Sequence, residues 1–199
     1  MTAPPSAALL SVVAEVEGHL AEAGWDQPPQ LFALVDTEQL LRAEPQLAQT
    51  MGIVNPRPGH LTPVAQDPLA DGPLDEALAQ VMFGTEVLGV VLAHEVLVLP
   101  PSAEQALEDQ DPATVAATHP ERREVRMAVG VLRDGSRECV LRLRGQRPHQ
   151  DGVPDGGPDD GPGELPDGGP DGGPQDELVS GGDLAPGLAD ALMATLDEG

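Results

Sequence analysis

Residues Glu86 to Leu99 constrain the fold of this chain more than any others. Val87, Leu88, Val90, Val91, Leu92, Val96, Leu97, Val98 and Leu99 make a nearly continuous, largely β-branched run, and a strand apolar on both faces belongs in the middle of a sheet. Pro100-Pro101 stops it. A chain of 199 residues can close one domain of ordinary size around such a strand and is too short for two large ones.

Residues 124–145 supply two neighbours for that strand as a β-hairpin. If Arg133-Asp134-Gly135 is a three-residue loop with Gly135 in the left-handed conformation, Val125 faces Leu143, Met127 faces Leu141 and Val129 faces Cys139, all on one apolar side. The other side then pairs Arg126 with Arg142 and Glu124 with Arg144. A two-residue Asp-Gly loop would set Met127 against Arg142 and mix the faces, so the longer loop is preferred. The expectation is an inward apolar side and a guanidinium side facing water or a partner.

Around this sheet the pattern predicts helices. Leu9, Val13, Val16 and Leu20 recur at helical spacing between about Ser6 and Ala23, Glu15, His19 and Glu22 fall off that stripe, and Gly24 is a plausible terminator. Leu31 to Val35 reads as a short buried strand. Asp36 or Thr37 can cap a second helix to about Glu44, where Pro45 either kinks it or starts a new turn. Residues 55–63 read mostly as loop, with a brief strand compatible with Leu61 to Ala65. Leu74, Leu78 and Val81 mark a third short helix, residues 102–119 a polar connection, and Leu184, Leu188, Leu192 and Leu196 one side of a C-terminal helix.

From Gln150 to Asp176 the chain becomes near-repeats of Pro-Asp-Gly-Gly. With almost no apolar side chain the tract cannot offset the ordering cost, roughly 1–2 kcal/mol per residue for the backbone, and disorder is expected. The organisation is therefore read as an α+β domain over 1–149, a disordered acidic Gly/Pro/Asp insert over 150–176, and a C-terminal helix over 177–199 that completes the same domain.

The formal net charge of −24 repels phosphate backbones and anionic lipid, so neither nucleic acid nor membrane is an expected partner. No run approaches the roughly 18 apolar residues of a membrane span. The residues from Met1 to Gly24 lack the basic start and unbroken apolar run of a signal peptide, and the lone Cys139 cannot form an intrachain disulfide, so the expected address is the cytoplasm.

No enzyme motif assembles. In His94-Glu95, adjacent strand residues point to opposite faces and cannot converge on one ion, and Val98 stands where a helical zinc motif needs its second His. His119 with Glu121 and Glu124 lacks a second His at a useful spacing. Gly130 to Arg137 only mimics a phosphate-binding loop, with Ser136 in the Lys position, and the repeats lack calcium-loop patterns. No catalytic residue, metal or cofactor is therefore expected.

Charge layout is more informative. Eight of the ten arginines, and no lysine, lie between 122 and 147, a segment that with the preceding Glu121 is locally about +4, whereas nine carboxylates and no base occupy 151–177. Arg122, Arg123, Arg126, Arg142 and Arg144 are the candidate binding residues for another protein with an acidic surface, with which the neighbouring tract would compete as a flexible tether.

The run Gly24 to Thr37, the segment Val96 to Pro101, and His119 to Arg144 with its Val-Leu-Arg-Asp-Gly-Ser-Arg turn resemble a family of uncharacterised actinobacterial proteins. That resemblance implies a bacterial cytosolic origin, in keeping with the all-arginine, Ala/Gly/Pro-rich composition of a GC-rich genome, and carries over no activity. The fold class expected is α+β, a mainly antiparallel sheet packed against N-terminal and C-terminal helices. By analogy of fold it is similar to secretion-chaperone-like proteins. The function expected is a non-enzymatic adaptor or chaperone-like module. The alternative is a small hydrolase or metal-dependent enzyme using His94 or His119.

Overall fold

A computed structural model describes residues 5–50, 52, 59–100, 114, 119, 121–145 and 176–196. The expectations for a disordered insert over 150–175 and for the connection over 102–118 fall outside these residues, Thr114 excepted. The fold is α+β, an antiparallel sheet with helices from both ends of the chain. In chain order the elements are α1 (Pro5–Glu22), β1 (Gln30–Asp36), α2 (Thr37–Ala43), α3 (Pro45–Thr50), β2 (Leu61–Ala65), α4 (Leu74–Leu78), β3 (Val87–Val98), β4 (Arg123–Leu132), β5 (Arg137–Leu143), β6 (Glu177–Ser180) and α5 (Pro186–Ala194). The strands lie in the order β2-β1-β3-β4-β5-β6, every neighbouring pair antiparallel.

The apolar run of β3 sits near the sheet's centre because both of its faces are covered. Val91 and Ala93 join Phe32, Leu34, Ala128 and Val140 beneath Leu9, Val12, Val13, Val16 and Leu20 of α1. Val90 and Leu92 join Leu31, Ala33, Val129, Val131 and Cys139 against Ala189, Leu192 and Leu196 at the other end of the chain. Gly130 lets α1 settle on the sheet, since a Cβ there would come within 2.4 Å of the Val13 side chain.

The hairpin register is the three-residue-loop register. Val125, Met127 and Val129 face Leu143, Leu141 and Cys139, Arg126 faces Arg142, and Gly135 has a φ of +88°. Leu132 accepts from Gly135 N–H and donates to Ser136, which closes the loop. Arg133 does more than turn the chain. Its guanidinium donates to the carbonyls of Val87, Phe83, Gly84 and Leu196, tying the hairpin to the start of β3 and to the chain just beyond α5, where unpaired carbonyls attract a cation.

The N-terminal predictions hold closely. Asp36 caps α2 by accepting from Gln39 N–H, Pro45 starts a separate short helix, and Leu61–Ala65 is a strand at the sheet edge. On β2 the residues facing β1 include His60 and Gln66, whose backbones bond Thr37 and Leu31. By alternation Leu61, Pro63 and Ala65 turn their backbone outward, and Pro63 has no N–H to offer there.

Candidate functional site

The guanidinium side of the hairpin is where the structure corrects the sequence reading. Arg126 does not face water, because that side of the sheet carries α1, and the Arg126 side chain is 2% exposed. Glu17 explains how a charge can stand there. It occupies the position four residues after Val13 on the buried row of α1 and is also 2% exposed.

The two residues anchor a network. Arg142 donates from Nη2 to Glu17 Oε2 at 2.7 Å and from Nε to the other carboxylate oxygen. Arg126 donates to Glu95 Oε1 from Nη2 at 2.8 Å and from Nε at 3.2 Å, and to the carbonyl of Gly24. Arg142 also stands 3.7 Å from Asp176, whose other oxygen accepts the Gly145 N–H at 2.8 Å. A buried guanidinium needs such partners, since an unpaired charge there would cost several kcal/mol. Hydrogen bonding to Glu17 raises the Arg142 pKa further above its ordinary value, against the opposing effect of burial.

Trp25 completes the cluster from the turn after α1. The guanidinium carbons of Arg126 and Arg144 lie 4.8 Å and 5.3 Å from its ring centroid, within range of a cation–π contact. Arg144 also pairs with Glu124 and stands 3.6 Å from Asp26. Asp26 is held at a positive φ of 68° and donates its N–H to Glu95 Oε2 at 2.8 Å.

Of the five arginines singled out from sequence, three therefore belong to this intrachain network. Arg122 and Arg123 stay exposed, Arg122 reaching the His119 carbonyl. Sequence reasoning missed Glu17, Glu95 and Trp25 as their partners. A signal for Glu17 existed: it is the one acid in the row Leu9, Val13, Glu17, on a chain whose hairpin needs two anions.

The other candidates are placed as follows. His94 is half-buried on the α5 side of β3, while Glu95 reaches the α1 side, so the two diverge as strand alternation demands. Burial lowers the His94 pKa, with Glu95 opposing. His119 Nδ1 accepts the Glu121 N–H at 3.1 Å. Among the described residues no group of three His, Cys, Asp or Glu side chains is placed to hold a metal ion. Cys139 is buried and its thiol is pushed up to about 11, which keeps it protonated at neutral pH.

Two concavities open on the α1 side. The larger, about 730 Å³, runs between α1 and edge strand β2. Val16, Phe32, Pro63 and Ala65 line its floor, and Glu15, His19, Glu22 and His60 its rim. Gly18 lies along it, and a Cβ added there would meet nothing within 4 Å. The smaller, about 250 Å³, is lined by Asp26, Glu95, Val96, Leu97 and Glu124. Neither His94 nor His119 lines either one. Among the described residues no helix is long and apolar enough to cross a membrane.

The chain belongs to the PPA1309-like protein family, whose model matches residues 9–197, in keeping with the expected membership of an uncharacterised family. No curated protein and no solved structure matches it.

Proposed function

We propose that this member of the PPA1309-like family is a non-enzymatic protein-interaction module that receives a basic, amphipathic helical segment of a partner in the groove between α1 and β2. The observation that carries the reading is the groove itself, an apolar floor beneath the carboxylates of Glu15 and Glu22 on a chain of net charge −24. An apolar stripe on a partner helix would find the floor, and flanking Arg or Lys the rim. A strand is a poorer occupant, because Pro63 removes an outward donor from the β2 edge.

The arginines argue in the same direction. With Arg126 and Arg142 already paired to Glu17, Glu95 and Asp176, little exposed positive charge remains on that face for an acidic partner. Arg122 and Arg123 are the exposed pair through which an acidic protein would still be contacted. The setting that suits the reading is the bacterial cytoplasm, where a lone buried thiol stays reduced.

The test uses a fluorescein-labelled helical peptide of Leu and Arg, its leucines three and four residues apart. Anisotropy should show saturable binding that weakens with added salt. Gly18→Leu should abolish it while leaving the melting temperature undiminished, since Gly costs a helix about 1 kcal/mol and the space beside Gly18 is open. Equal binding to the wild type and Gly18→Leu would remove the groove from the reading.

A further inference from the structure

Strand β3 outruns its neighbour. β1 pairs with it only as far as Gln30 opposite Ala93, whereas β3 continues to Val98 against β4. The reason lies in the sequence before β1: in the continued register Pro28 would stand opposite Glu95, and it has no N–H to donate. The chain instead peels away into the Trp25 turn, held by Gln27 Nε2 bonded to the carbonyls of Leu20 at 2.9 Å and Gly24 at 2.6 Å.

The ladder fixes which backbone groups are left over. Leu88 accepts from Arg133 N–H, so Leu88, Val90, Leu92, His94, Val96 and Val98 turn their backbones toward β4. Glu95 and Leu97 therefore turn theirs toward the side that β1 has left, where among the described residues no strand pairs with them. The concavity lined by Asp26, Glu95, Val96, Leu97 and Glu124 lies at this edge. Beside it stand two apolar side chains in water, Leu97 at 42% and Val98 at 44% exposure.

We infer that the open edge of β3 from His94 to Val98 is a strand-addition site for an extended segment of a partner protein in which basic and apolar residues alternate. The alternation follows from the two faces. A strand laid in line with β1 turns every second side chain toward Asp26, Glu95 and Glu124 on the α1 side, where three carboxylates outnumber their two partners, Arg126 and Arg144, and the surplus negative charge favours Arg or Lys. The residues between would meet His94, Val96 and Val98 on the other side, where apolar groups bury exposed surface. Backbone pairing gives affinity and the two faces give register. A second copy of this chain is the weaker occupant, since two molecules of charge −24 repel each other.

The site is independent of the groove, and one set of measurements separates them. The probe is an acetylated, amidated peptide of alternating Arg and Val, compared with a peptide of the same composition in which the arginines and valines are blocked. Trp25 emission reports binding, as that ring stacks beside Asp26 and Glu124 on Arg144. The alternating peptide should bind one to one, and Leu97→Pro should weaken it by about tenfold or more by removing an outward donor without touching the β4 ladder.

Leu97→Arg, which sets a like charge in the peptide's path, gives the same answer if Leu97→Pro does not fold. Gly18→Leu should leave this binding intact whatever it does to the groove. Equal binding of the blocked peptide, or unchanged binding to both Leu97 variants, would overturn the assignment. So would a sedimentation result in which the chain dimerises and Leu97→Pro abolishes the dimer, because the occupant would then be a second copy.

Discussion

The two faces of the sheet solve the same burial problem with different chemistry. On the α5 side the strands contribute Leu31, Val90, Leu92, Val129, Val131 and Cys139, and the helical side answers with Ala189, Leu192 and Leu196, so the buried part of the contact is apolar. On the α1 side an apolar half gives way along β4 and β5 to an ionic cluster in which Glu17 and Arg126 are buried, Arg142 and Glu95 are partly buried, and the four pair with one another. Dry packing tolerates small errors, since a missing methylene costs about 1 kcal/mol. The ionic side is less forgiving: its members hold one another in place, and Arg126 Nη1, 3.9 Å from Glu17, is left without a hydrogen bond even in the intact network.

The largest expected effect tests that contrast directly. Glu17→Ala should lower unfolding free energy by about 3–5 kcal/mol, because two guanidinium groups lose their buried anion. Urea denaturation followed by Trp25 emission would measure it, and a loss below about 1 kcal/mol would mean that water already screens the network. A well-packed apolar replacement of the whole cluster need not cost anything.

A smaller effect comes from His94 at the exposed end of the α5 side. Burial lowers its pKa below the ordinary 6.5, so as pH falls through 6.5 the unfolded chain takes up a proton that the native chain resists. Stability should therefore decline from pH 6.5 downward, by less than one proton's worth of slope. His94→Gln should flatten that part of the curve, and a native-state titration by NMR should put the His94 midpoint below 6.5.

The smallest effect is reserved for the charge pair on the apolar side, Arg137 with Asp190 at 2.7 Å. Both side chains are substantially exposed, so Arg137→Ala should cost no more than about 1 kcal/mol and should matter less as salt is added. A value near that for Glu17→Ala would erase the distinction between the faces.

Much of this was legible in the sequence. Strand alternation and one glycine fixed the β4–β5 register, because a slip of one residue would have put Met127 opposite an arginine. The same alternation misled about the other side. It reports that Arg126 and Arg142 share a face, but not that α1 lies over that face with Glu17 pointing in.

The clue was in β3. A strand apolar on both faces needs cover on both, and that requirement extends to the strand beside it. The open edge of β3 was hidden for another reason: Pro28 is visible in the sequence, but its effect depends on which residue stands opposite.

Asp176 has a consequence for engineering. By accepting the Gly145 N–H and meeting Arg142, it fastens the end of β5 to the start of β6, and those two strands pair side by side. Whatever chain leaves at Gly145 must return within a few ångströms of its exit, so the fold senses where the excursion begins and ends and only weakly how long it is. Gly145 and Asp176 are therefore the gateposts that any redesign of this junction must keep.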